Sequence, residues 1–133
     1  MILVVSSFAP SPLLVKSSYA WTDPEPSPRS QKAPIAVSDD SNVYVVWFTD
    51  KNTPNKNGEV MFKSSTDGGK TWSNKTNLSN TPNVDSINAE INAAGNNVYV
   101  SWWERNQTTN EPVLTVSNDN GKTFGEKITL SAK

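Results

Sequence analysis

The chain has 133 residues, enough for one small domain, and its 35% hydrophobic residues with five Trp can build only a lean core. Its 12 basic and 13 acidic residues leave a formal net charge of -1, which argues against a nucleic-acid footprint and against binding a charged membrane surface. The absence of Cys and His removes disulfides, thiolate and imidazole metal sites, thiol nucleophiles and the commonest general base; no cofactor and no metal are expected.

The first segment, residues 1–20, is apolar and then small and polar, ending Ser18-Tyr19-Ala20. That ending suits a leader cleaved after Ala20 and hence a secreted or extracellular protein. Pro10 and Pro12 break the apolar run and no basic start precedes it, so an ordinary N-terminal strand or tail is the competing reading. Lys16 and the same prolines leave it too short for a membrane span, which needs about 20 apolar residues. Residues 21–32 follow as an extended linker carrying Pro24, Pro26 and Pro28.

From residue 33 the chain repeats itself. "NVYVVWF" at 42–48 is answered by "NVYVSWW" at 97–103, an offset of 55 (97 minus 42). Ser65 in "SSTDGGKTW" (64–72) is answered by Ser117 in "VSNDNGKTF" (116–124), an offset of 52 (117 minus 65). The missing three residues fall between these segments, where a loop absorbs them. Each unit holds four strand candidates: 34–37, 43–49, 59–65 and 75–79, then 90–93, 98–104, 113–117 and 127–131. The 16 Asn and 9 Pro favour turns over helices, and no stretch has sustained helical periodicity. The chain reads as all β, with two units at about 33–80 and 88–133. The second strand of each unit is apolar on both pleat faces, Val43, Val45 and Trp47 on one and Tyr44, Val46 and Phe48 on the other. Such a strand requires a cover on each side. Units of this length with four short strands fit the blades of a β-propeller.

The repeated loop has three functional readings and one structural one. A phosphate cradle needs a glycine five residues before the Gly-Lys-Thr, where Ser64 and Val116 stand, and it must open a helix. A calcium loop needs alternating acids before the glycine and a Glu six residues beyond it, where Lys75 and Lys127 stand. A catalytic turn would have to run on Asp, Glu, Tyr, Lys and the two arginines alone. The structural reading needs only a short Asp that accepts N–H bonds from its own turn, glycine at positive φ, and Ser and Thr hydroxyls to satisfy what is left. Trp72 and Phe124, which end the two loops, are then expected to turn inward and anchor each hairpin between neighbouring units.

The pattern Ser65, Asp67, Gly69, Thr71, Trp72 resembles the Asp box, or bacterial neuraminidase repeat, of sialidases and other β-propellers. Ser117, Asp119, Gly121 and Thr123 repeat it, with Phe124 departing from the usual Trp. The resemblance covers about 100 residues of the chain. It implies a propeller whose Asp boxes are structural hairpins away from any catalytic face. A sialidase of this kind would further use an arginine triad for the sugar carboxylate and a Tyr nucleophile activated by a Glu. This chain has only Arg29, in the Pro-rich linker, and Arg105. No catalytic residue is therefore assigned, and a sialidase-like glycoside hydrolase fits only if its catalytic residues lie outside this chain.

Ligand binding is expected, if anywhere, in "SWWERNQ", where Trp103 offers a face for a sugar ring and Glu104, Arg105 and Asn106 offer hydrogen bonds. The competing reading makes Trp102 and Trp103 ordinary filling, like Trp47 and Phe48. Sequons at Asn74, Asn77 and Asn106 suit an exported protein. The expectation is an exported binding or scaffold module with a glycan or protein as ligand. Two units leave two apolar faces, to be covered by further units or by copies of the chain.

Overall fold

A computed structural model of the chain describes residues 35–37 and 40–131. The leader expected over 1–20 and the linker over 21–32, with Arg29, lie outside the described residues. The described residues are all β, in two four-stranded antiparallel sheets whose strands follow sequence order. The first sheet comprises β1 (Ile35–Val37), β2 (Val43–Thr49), β3 (Glu59–Ser65) and β4 (Thr76–Asn77). The second comprises β5 (Asp85–Ala94), β6 (Asn97–Arg105), β7 (Asn110–Ser117) and β8 (Ile128–Thr129). Both sheets are open, ending at edge strands β1 and β4, and β5 and β8. Among the described residues no helix is long and apolar enough to cross a membrane.

β2 and β3 occupy the expected residues, because each is a short run rich in β-forming residues whose flanking turns are marked by Asn, Pro and Gly. β5 differs: it begins at Asp85 rather than at residue 90. Its sequence, "DSINAEINAA", carries few β-forming residues, and pairing with β6 along its length overrides that weak local preference. The register passes from Ile87 opposite Trp103 to Glu90 opposite Ser101, so Asn88 and Ala89 together oppose Trp102 in a bulge. Asn88 takes the left-handed conformation the extra residue needs, at φ 54°. β4 and β8 are shorter than the expected 75–79 and 127–131, each reduced to two residues.

Cross-strand partners share a sheet face, so the register sorts the core. In the first sheet Tyr44, Val46 and Phe48 share a face with Val60 and Phe62, which oppose Phe48 and Val46. In the second, Val98, Val100 and Trp102 share a face with Val113, which opposes Trp102. These nine residues, with Ala89, form one buried cluster, against which Leu78, Ile87, Ile91, Ala93 and Phe124 pack. The sheets thus stack with the second face of the first sheet on the first face of the second. The polar links at this seam include the Tyr44 hydroxyl donating to Asn120 Oδ1 at 3.3 Å. At the opposite end of the strands Ser86 N–H donates to the Gly58 carbonyl at 2.7 Å. A Cβ on Gly58 would lie 2.9 Å from the Ser86 carbonyl oxygen, so this approach requires glycine.

The outer faces are less covered. Val43, Val45 and Trp47 are half-buried, and across the molecule Tyr99 and Trp103 are 39% and 40% exposed. Among the described residues each central strand therefore has one of the two covers its pattern requires.

Candidate functional site

The two repeated loops close on themselves with matching hydrogen bonds. In the first, between β3 and β4, the Ser65 hydroxyl donates to Asp67 Oδ1 at 2.7 Å and accepts from Gly69 N–H at 2.8 Å. Asp67 also accepts from the Thr71 N–H at 2.8 Å and the Thr71 hydroxyl at 2.6 Å. In the second, between β7 and β8, Ser117 bonds Asp119 and Gly121 at 2.7 and 2.8 Å. Asp119 there accepts from the Thr123 N–H at 2.9 Å and the Thr123 hydroxyl at 2.5 Å. Gly69 and Gly121 both have positive φ, 89° and 75°. The Thr hydroxyl, the Thr N–H and the Ser hydroxyl all favour the charged carboxylate, and they lower both Asp67 and Asp119 from 3.8 to about 2. Each Asp thereby spends three hydrogen bonds inside its own loop, which leaves less of its acceptor capacity for a ligand.

The surroundings of the two loops differ. Phe124 packs edge-on against Phe62, centroids 4.8 Å apart, and a Cβ on Gly121 would meet Phe62 Cζ at 2.7 Å. The second loop is thus wedged into the seam. Trp72, expected to turn inward like Phe124, is instead 40% exposed, its indole N–H donating to the Gly69 carbonyl at 3.0 Å within its own loop. The reason is positional: the second loop lies on the first sheet, whereas no described sheet lies on the side of the first loop.

The "SWWERNQ" stretch runs along β6 to its far end, and the pleat divides its side chains. Trp102 is buried at 2% exposure on the seam side. Glu104 lies on that same pleat face, accepting from Trp102 Nε1 at 3.3 Å and from Lys127 Nζ at 3.0 Å. Trp103 and Arg105 lie on the opposite pleat face. Trp103 borders a cleft of about 600 Å³ lined also by Phe48, Ala89, Trp102, Pro112 and Leu130. Arg105 and Asn106 line a separate polar cleft of about 340 Å³ with Asn57, Asn83, Asp85 and Gln107. Of the four candidate ligand residues the structure brings together Arg105 and Asn106, and it turns Glu104 away.

The polar cleft joins elements from both sheets: the β2–β3 connection supplies Asn57, the inter-sheet connection Asn83, the start of β5 Asp85, and the β6 end with its turn Arg105, Asn106 and Gln107. Asp85 opposes Arg105 in the ladder and accepts from the Gly58 N–H at 2.7 Å, which holds its carboxylate in place. Asn106 Oδ1 accepts from the Thr108 and Thr109 N–H groups, both at 2.8 Å, so its carbonyl is committed to the turn. Asn57 Nδ2 donates to the Pro82 carbonyl. The cleft can present guanidinium, carboxylate and amide groups together, a set that suits polyhydroxylated or amide ligands rather than a strongly charged one. Asn57, Asn83 and Asp85 escape sequence reasoning because they lie 20 or more residues from Arg105; the Asn-Gly at 57–58 was their one local signal.

Topology separates cleft and loops. Gly68 N–H donates to the Ser41 carbonyl and Asn120 N–H to the Asn96 carbonyl, so both closed loops sit at the β1–β2 and β5–β6 turn end. The cleft is at the other end of the strands, beyond Arg105. No protein-family model matches the chain, and no curated protein matches it.

Proposed function

We propose that the chain is an exported Asp-box β-propeller segment that acts as a binding or scaffold module, with carbohydrate as the ligand class and the Arg105–Asn106 cleft as its site. The observation that carries the reading is the relation between the two sheets. They share strand order, they stack opposite face to opposite face, and each closes its third and fourth strands with the same self-bonded loop. Stacked sheets of this kind are what propeller blades require. The binding half of the reading is supported by the cleft, where Arg105, Asp85 and four amides converge at the end remote from the loops. Neutral sugars are bound through such amide and charged groups, several weak hydrogen bonds sharing the work. Export is supported by the leader-like residues 1–20 and by the exposure of Asn74 and Asn77 in their sequons.

A glycan array probed with the full chain and with Arg105→Ala tests this. Retention of a defined glycan set by the wild type, weakened about tenfold or more by the variant, is expected; an array blank for both sinks the carbohydrate reading. A fluorogenic sialoside is the control for the competing reading. Turnover by this chain would show catalytic residues of its own and would point away from a binding module.

A further inference from the structure

The seam inside the molecule is a template for a contact that its two outer faces have yet to make. Comparing equivalent positions, Tyr44 is fully buried while Tyr99 is 39% exposed, and Phe48 is 7% exposed while Trp103 is 40% exposed. On the other side of the seam Val98 is fully buried and Trp102 2% exposed, whereas their equivalents Val43 and Trp47 are only half-buried. Phe124 rests on Phe62, but Trp72, its equivalent, rests on no other sheet among the described residues. The rear of the second sheet therefore presents the face that the first sheet buries, and the front of the first sheet presents the face that the second sheet buries.

We propose that a second copy of this chain covers these faces head to tail, the front of its first sheet seated on the rear of the second sheet. By the template, Trp72 of one copy packs where Phe124 packs internally, against Leu114, the equivalent of Phe62. The two surfaces have shapes for this. The front carries a groove of about 270 Å³ lined by Val45, Trp47, Lys63 and Trp72. The rear carries a shallow hollow of about 200 Å³ lined by Glu90, Asn92, Tyr99, Ser101 and Leu114. Their charges are complementary: Lys63 stands on the front, and Glu90, opposite Ser101 in the ladder, stands on the rear.

The match has two departures, which make the contact between copies weaker than the internal seam. Ser101 stands where Val46 is buried, removing apolar contact. Gly68 stands where Asn120 accepts from Tyr44, so the Tyr99 hydroxyl gains no such acceptor. Because the two surfaces are different, the contact is heterologous: among the described residues a pair of copies still presents one front and one rear, and association continues until a ring closes. This proposal rests on the seam and not on the carbohydrate reading; it covers Trp103 and leaves the Arg105–Asn106 cleft at the strand end.

Sedimentation velocity of the full chain over a concentration series tests the proposal. The wild type is expected to form species larger than one chain. Trp72→Glu blocks the front and Tyr99→Glu blocks the rear, and each is expected to weaken association about tenfold or more. An equimolar mixture of the two variants retains one good front and one good rear, so it forms a two-chain species and nothing larger. A wild type of single-chain mass throughout, or variants that associate as the wild type does, overturns the proposal, as does a mixture that fails to pair. Circular dichroism confirms that each variant is folded; Val45→Lys and Trp103→Glu serve in place of one that is not.

Discussion

The loops at 64–72 and 116–124 have the same hydrogen bonds and opposite surroundings. Ser65, Asp67, Gly69 and Thr71 bond one another as Ser117, Asp119, Gly121 and Thr123 do, to within about 0.1 Å. Yet Gly121 is buried against Phe62 and Tyr44, while Gly69 meets nothing but its own Trp72 at 3.6 Å. The loop's conformation is thus a local property of its sequence, and its contribution to the rest of the fold is a property of its neighbour. The same holds one strand away, where the buried Trp102 and the exposed Trp103 are adjacent letters with different roles.

The largest effect expected from this contrast is at the tryptophans. Trp102→Ala should cost about 3–5 kcal/mol by denaturant unfolding, since it empties the centre of the seam. Trp103 is 40% exposed, so Trp103→Ala should cost about three-fifths of that, in proportion to the area it buries. Equal losses would mean that Trp103 is as buried as Trp102 in the isolated chain. The next is at the glycines. Gly121→Ala adds a Cβ 2.7 Å from Phe62 Cζ to the strain of positive φ, and a loss of roughly 2–4 kcal/mol is expected from both together. Gly69→Ala, with φ alone against it, should lose about 1–2 kcal/mol. Thermal melts of the two variants side by side would sharpen or erase the difference.

The smallest effect is one the loops should share. Asp67 and Asp119 are lowered from 3.8 to about 2, so the stability they contribute is present above pH 3.8 and is lost as pH falls through about 2. Denaturation midpoints measured across that interval should fall for the wild type. They should fall less for Asp67→Ala/Asp119→Ala, which is weaker at neutral pH but has no such titration to lose. An unchanged acid slope in the double variant would show that the loop carboxylates are not what acid acts on.

Much of the fold is legible in the sequence where patterns are local and strong. β2 and β3 can be read residue for residue, because short runs of β-formers are bounded by turn residues. β5 cannot be read in full: "DSIN" has turn-like composition, and only the ladder to β6, with its bulge at Asn88 and Ala89, makes a strand of it. The candidate site divides in the same way. Arg105 and Asn106 are visible as polar residues at a strand end, but the pleat turns Glu104 to Trp102 and Lys127. Asn57, Asn83 and Asp85 join the cleft only because the two sheets meet at Gly58 and Ser86.

By itself the sequence determined the β class, the repeat, the strand faces and the inward bonding of the loop carboxylates. All of these depend on residues close in the chain, whose backbone preferences and hydrogen bonds are satisfied within one turn or one hairpin. Only the tertiary structure decided which face of each sheet is covered, that Phe124 is a wedge while Trp72 lies open, and which polar groups share a cleft. Those outcomes depend on which surface arrives opposite. Two copies of nearly the same segment cannot encode that difference, since it comes from having a neighbour on one side and not on the other.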